Sequence, residues 1–231
     1  MEFFENKFLL LAVTFGSFMV AKMIQNRTGW LLLNPILLAI AVIICFLQLT
    51  GVSYETYQEA GSLVEFWLRP AVVALGVPLY LQLKMIKKQL MPIILSQLAG
   101  CFVGLVSVVV IAKLLGASPE VIMSLAPKSV TTPIAMEVSE AVGGIPSLTA
   151  AVVIVVGLFG ATCGFKVLQV GRVGSPIAQG LSMGTASHAV GTSRAMEVSG
   201  KYGAYASLGL TLNGILTALL APTILRLLGL F

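Results

Sequence analysis

Six stretches of this chain, at about 8–24, 30–50, 64–83, 91–113, 146–169 and 202–228, are almost continuously apolar. Each comes close to the roughly 20 residues that an α-helix needs to cross the hydrocarbon core of a bilayer. A backbone in that medium must satisfy its own hydrogen bonds, so whole helices are the default outcome. Composition closes off a soluble fold: charged residues make up 10% of the chain, hydrophobic residues 58%, and the mean hydropathy is +1.00. A globular domain carries roughly 25% charge, and with less than half of that it cannot cover its apolar surface. Disorder, nucleic-acid binding and a secreted disulfide scaffold are excluded as leading readings. The expected class is an all-α polytopic membrane protein.

The net charge of +5 arises from 14 Lys and Arg against 9 acids, all of them Glu. In a membrane protein such an excess records loop placement during insertion rather than a polyanionic partner. Cys45, Cys101 and Cys163 each lie inside an apolar run and read as small packing residues, with no disulfide framework. Residues 1–7 contain two Glu ahead of a single Lys, whereas a secretory leader begins basic. The first apolar stretch is therefore expected to stay as a helix, in a multi-pass protein of the bacterial inner membrane whose surroundings are lipid.

Two stretches do not read as plain spans. Pro119 to Gly144 and Pro176 to Gly200 each set a polar, Pro- or Gly-bearing centre between short apolar pieces. Pro127, Pro133, Gly184 and Gly191 are the expected helix breakers. Such a pattern predicts a discontinuous helix, two half-helices with an unwound middle. The two stretches also resemble each other. Ala135–Ser139 (AMEVS) recurs as Ala195–Ser199, and the same offset of 60 matches Met123 with Met183, Thr132 with Thr192 and Gly143 with Gly203. Lys128 then falls opposite His188. The expected architecture is about six full spans plus two discontinuous elements in an internal repeat. Residues 1–115 would supply scaffold and dimerisation helices, and 116–231 the repeat domain.

Loop charges arbitrate how the breaks run. If both broken elements re-enter, Lys22, Arg27, Lys84, Lys87, Lys88, Lys166, Arg172 and Lys201 share the cytoplasmic side, against Lys7, Lys113 and Arg226 outside. Loop 51–62, with two Glu, then lies outside with the N-terminus. If the elements cross, Lys166 and Arg172 move outside and the asymmetry nearly vanishes. Re-entry, with the two repeat units inverted, is the expectation.

Unwound backbone at membrane depth must be buried in protein or line a hydrated cavity, and in transporters it builds the substrate site. The first break offers Lys128, Ser129, Thr131 and Thr132; the second offers Ser187, His188, Thr192, Ser193 and Arg194. Two cations, an imidazole and several hydroxyls suit a small anionic substrate, hydroxylated or keto. His188, Glu137 and Glu197 are candidates for proton coupling. Structural readings stand beside these. Lys128 and Arg194 could snorkel from helix ends, and His188 could be a packing histidine. The hydroxyls could serve only the broken backbone, and the two Glu could solvate helix ends. One His, no Asp and no Cys/His cluster leave no metal site, no cofactor motif and no catalytic constellation.

Pro127–Met136 (PKSVTTPIAM) and Gly184–Arg194 (GTASHAVGTSR) resemble the signature stretches of the LrgB/CidB family, as do Leu33–Pro35, Arg69–Tyr80 and Gly143–Pro146. The similarity covers nearly the whole chain. It implies an antiholin-like membrane protein that modulates murein hydrolase activity and lysis, often beside a small holin-like LrgA/CidA partner. It also implies kinship with proteins linked to pyruvate uptake and with a plastid transporter of glycolate and glycerate. The resulting expectation is a homodimeric, elevator-like carrier of small monocarboxylates working by alternating access. The rival is a lysis-control protein assembling with its holin-like partner.

Overall fold

The computed structural model describes residues 4–28, 33, 35–74, 80 and 83–230. Parts of the expected second and third spans, and of the motifs Leu33–Pro35 and Arg69–Tyr80, lie outside the described residues. Those described form helices joined by short turns, with no strand among them. Among the described residues four helices are long and apolar enough to cross a membrane: Lys7–Thr28, Leu90–Leu114, Pro146–Val170 and Gly200–Leu227. The chain is a multi-pass helical membrane protein. The chain divides into two compact units, Met1–Ala74 and Leu75–Phe231.

The first unit holds α1 (Lys7–Thr28), α2 (Pro35–Thr50) and α3 (Tyr54–Ala74). Asn6 caps α1, its Oδ1 accepting the backbone N–H groups of Phe8 and Leu9 at 2.9 and 3.3 Å. Leu10, Val52 and Ala60 form the buried contact, and Thr14 Oγ1 meets Tyr57 Oη at 3.0 Å beside it. At 16 residues α2 is an apolar helix shorter than the four spans. The start of α3 corrects the sequence expectation. Only residues 51–53 form a connection; from Tyr54 onward this stretch is the first turns of a helix, whose Thr56 N–H donates to the Ser53 hydroxyl at 3.2 Å. Hydropathy registers depth in the bilayer and is blind to a polar helix such as this one.

The second unit contains α4 (Leu83–Lys88), α5 (Leu90–Leu114), α6 (Pro119–Leu125), α7 (Thr132–Ala141), α8 (Pro146–Val170), α9 (Pro176–Val198) and α10 (Gly200–Leu227). Pro119, Pro146 and Pro176 occupy the first helical position, where the missing N–H costs nothing. The α5 helix packs against α6, α9 and α10 within this unit. Leu105, Val109, Ile122, Met123, Val138 and Leu225 are the main contributors to its largest apolar core.

The two repeat stretches pack by different means at equivalent positions. In the first, Thr149 of α8 donates to Ser124 O or Ser139 Oγ, 2.9 and 2.7 Å away, while Ser124 Oγ accepts the Ile145 N–H at 2.7 Å. Sixty residues on, Ser124 and Thr149 are replaced by Gly184 and Gly209. There a Cβ on Gly184 would strike the Ala206 carbonyl and one on Gly209 the Leu181 carbonyl. Hydrogen bonding joins the first pair of helices; bare backbone contact joins α9 and α10.

Candidate functional site

The first break lies between α6 and α7. There the chain turns through residues 126–131, with Lys128 N–H donating to Leu125 O at 3.2 Å and Val130 N–H to Pro127 O at 3.4 Å. Thr131 is extended (φ −63°, ψ 147°), and α7 begins at Thr132–Pro133 with no side-chain cap. Its first turn therefore carries the partial positive charge of an uncapped helix N-terminus.

The second break is smaller than expected. Gly184 and Gly191 are both helical, and α9 departs from helical geometry only at Ser187 (φ −130°, ψ 19°) and His188 (φ 41°, ψ −135°). The breakers assigned from sequence thus do not break the helix; they are small for packing. Gly184 lies against the Ala206 carbonyl, and a Cβ on Gly191 would meet the Met183 carbonyl and Ser187 Cβ. The kink is instead accommodated by α8. A Cβ on Gly157 would fall 2.6 Å from the His188 ring, and one on Gly160 would overlap the Ser187 side chain. Positive φ is costly for a histidine, and the packing around it holds the conformation in place.

His188 is buried, and its Nε2 lies 2.9 Å from the Val153 carbonyl oxygen of α8. A carbonyl can only accept, so Nε2 carries the hydrogen. Thr192 is also buried and donates to His188 O at 2.8 Å, a hydroxyl bonded to the carbonyl four residues earlier.

A cavity of about 680 Å³ opens among α5, the first break, α9 and α10. Of the candidate residues it brings together Lys128 and Ser129 alone. The only hydrogen bond of the Lys128 ammonium among the described residues is a long one, 3.4 Å to Ser129 Oγ. Thr131, Thr132, Ser187, His188 and Thr192 are not on its wall. Ser193 is exposed. Arg194 is half exposed and paired with Glu197 Oε2 at 2.6 Å, and Glu137 is likewise exposed, so these charges face outward.

Polar residues of the cavity wall that were not singled out from the sequence include Gln97, Thr185 and Asn213. Gln97 of α5 is buried, with Thr185 Oγ1 2.7 Å from its Oε1. Asn213 of α10 is also buried, and its Nδ2 donates to Ser129 O at 3.1 Å and to Thr185 O at 3.0 Å. One amide thereby ties the first break to the turn preceding the second. The signal was present: Gln97 and Asn213 are lone amides inside apolar spans, where a polar side chain is costly and needs a purpose. Among the described residues no cluster of His, Cys or acidic side chains could hold a metal.

Comparison with known proteins agrees with the motifs. The LrgB-like family matches residues 14–227. A holin-like protein CidB of Staphylococcus epidermidis is 37% identical over 219 residues, 95% of this chain and 96% of its own. YwbG of Bacillus subtilis is 39% identical over 218 residues, 94% and 95% of the two chains. A holin-like protein CidB of Staphylococcus aureus is 35% identical over 227 residues, 98% and 99%. No solved structure matches the chain. With its two signature stretches forming the two helix breaks and the family match running almost end to end, this chain belongs to the LrgB-like family.

Proposed function

We propose that this protein carries small monocarboxylates, of the pyruvate, glycolate or glycerate class, across the bacterial inner membrane. The observation that carries the reading is Lys128: a cation with one long hydrogen bond, on the wall of a cavity, inside an unwound segment between two half-helices. A carboxylate there would gain a charge-assisted hydrogen bond in partly desolvated surroundings. Ser129, on the same wall, adds a hydroxyl that can donate to an anion. Alternating access of the repeat region, elevator-like and within a homodimer, is the mechanism this reading implies. His188, Glu137 and Glu197 remain candidates for proton coupling, with His188 the buried one.

The printed names of the relatives favour a second reading. Two of them are called holin-like, and none of the three names mentions transport. In that reading the protein regulates murein hydrolase activity and lysis by assembling with a holin-like LrgA/CidA partner. The names support it more directly than they support the carrier. The two are compatible where carboxylate flux is what triggers lysis.

Proteoliposomes holding the purified chain alone separate them. A carrier gives saturable uptake of labelled pyruvate, lactate, glycolate or glycerate, with counterflow exchange. Absence of flux for every acid, together with stable assembly only when the small partner is present, would sink the carrier reading. Uptake linear in concentration, with release of large solutes, would indicate a pore.

A further inference from the structure

The Thr185 hydroxyl has one hydrogen and two acceptors. Its Oγ1 lies 2.7 Å from Gln97 Oε1 and 2.7 Å from Leu181 O. The hydrogen can serve only one of them, and each choice fixes the Gln97 amide differently. If it goes to Gln97 Oε1, the amide NH2 is the unused end. If it goes to Leu181 O, Thr185 Oγ1 becomes an acceptor, the amide turns over to donate its N–H there, and the carbonyl oxygen is the unused end. The Thr185 hydrogen is satisfied in both arrangements.

The residue that carries the unused end belongs to the cavity wall. Gln97 is 3% exposed. Among the described residues the fully covered side-chain atoms without a partner are Tyr205 Oη, Ser207 Oγ and Asn213 Oδ1; the free atom of Gln97 is not one of them. A buried amide with one end held by the protein and the other left open is a built half-site, because the open end gains whatever a ligand supplies. Gly100, one turn along α5, keeps the approach close: a Cβ there would lie 3.3 Å from Thr185 Cγ2.

We propose that Gln97 is a binding residue that reads the oxygen on carbon 2 of a small monocarboxylate, taking 2-oxo and 2-hydroxy acids alike by turning its amide over. The NH2 end donates to a keto oxygen; the carbonyl end accepts from a hydroxyl. The inference rests on the carboxylate reading above, with Lys128 taking the charged end of the same molecule.

Equilibrium binding of pyruvate, lactate and propionate to the full chain in lipid nanodiscs tests it. Propionate keeps the carboxylate and lacks the second oxygen. Pyruvate and lactate should bind within about threefold of each other and roughly threefold to tenfold tighter than propionate, the effect of one neutral hydrogen bond. Gln97→Met, close in shape and unable to pair, should bring both down to the propionate affinity and leave propionate unchanged. Thr185→Val removes the hydroxyl that holds the amide and should narrow the same gap, so the question stays answerable if Gln97→Met does not fold. Pyruvate and lactate differing by tenfold or more, or full retention of the gap in the folded variants, overturns the role of Gln97. Loss of all three acids in Lys128→Gln would then leave the carboxylate reading standing. Failure of the unaltered protein to bind any of the three overturns both.

Discussion

The His188 ring reaches out of the second repeat stretch to the Val153 carbonyl of α8, the long helix that follows the first, Nε2 to O at 2.9 Å. Sixty residues beyond Val153 stands Asn213, which reaches back to Ser129 in the first break. Each stretch's long helix thus touches the break of the other, from equivalent positions. The two breaks are held by reciprocal contacts, one through a histidine side chain and one through an asparagine.

Asn213→Leu should test that link. It removes the donor shared by Ser129 O and Thr185 O and leaves two carbonyls beside an apolar side chain. An unsatisfied buried group costs about 1–3 kcal/mol. Thermal unfolding in detergent should show a clear loss. Asn213→Asp, which presents an acceptor to two acceptors, should be at least as damaging at neutral pH. Unchanged melting for both would mean the amide is dispensable.

The fit of α8 against the kink predicts a rescue. Gly160→Ala would place a methyl on the Ser187 side chain. Overpacking of this kind costs about 1–3 kcal/mol. Ser187→Gly removes the colliding atoms, so the double variant should recover much of the stability lost by Gly160→Ala. Additive losses in the cycle would show that the two residues do not meet.

Lys128 and Arg194, equivalent in the sequence reading, should separate. Lys128→Gln removes the cation of the cavity and should weaken carboxylate binding about tenfold to a hundredfold, the range for a hydrogen bond to a charged group. Arg194→Gln alters a half-exposed pair with Glu197 and should leave affinity within about twofold. Calorimetric titration of both variants, each checked for monodispersity, decides it. A larger loss in Arg194→Gln would place the site elsewhere.

Topology follows from loop charge. Single cysteines at 166–175, the end of α8 and the turn into α9, should be labelled from the cytoplasmic side, and cysteines near both chain ends from the opposite side. Labelling of 166–175 only from outside would mean that the broken elements cross rather than re-enter.

The apolar runs by themselves determined that this chain is helical and lives in lipid, since a run of about 20 apolar residues suits a helix, which satisfies its backbone within one segment, and is too long for a barrel strand. Pro127 and Pro133 also made the first break legible, because proline interrupts a helix by local sterics that need no neighbour. Local chemistry was not enough elsewhere. Gly184 and Gly191 permit a break without requiring one, and glycine inside a helix signals close packing as often as interruption. The kink at Ser187–His188 depends on Gly157 and Gly160 of α8 making room for it, a condition set by residues some thirty positions away in the chain. In the same way, the sequence presented Lys128 and Arg194 as one pair of cations. The packing of α5, α9 and α10 left the first on a cavity wall and turned the second outward to Glu197. It also brought Gln97 and Asn213 to the breaks, because which face of an apolar helix a lone amide occupies has meaning only once its neighbours are in place.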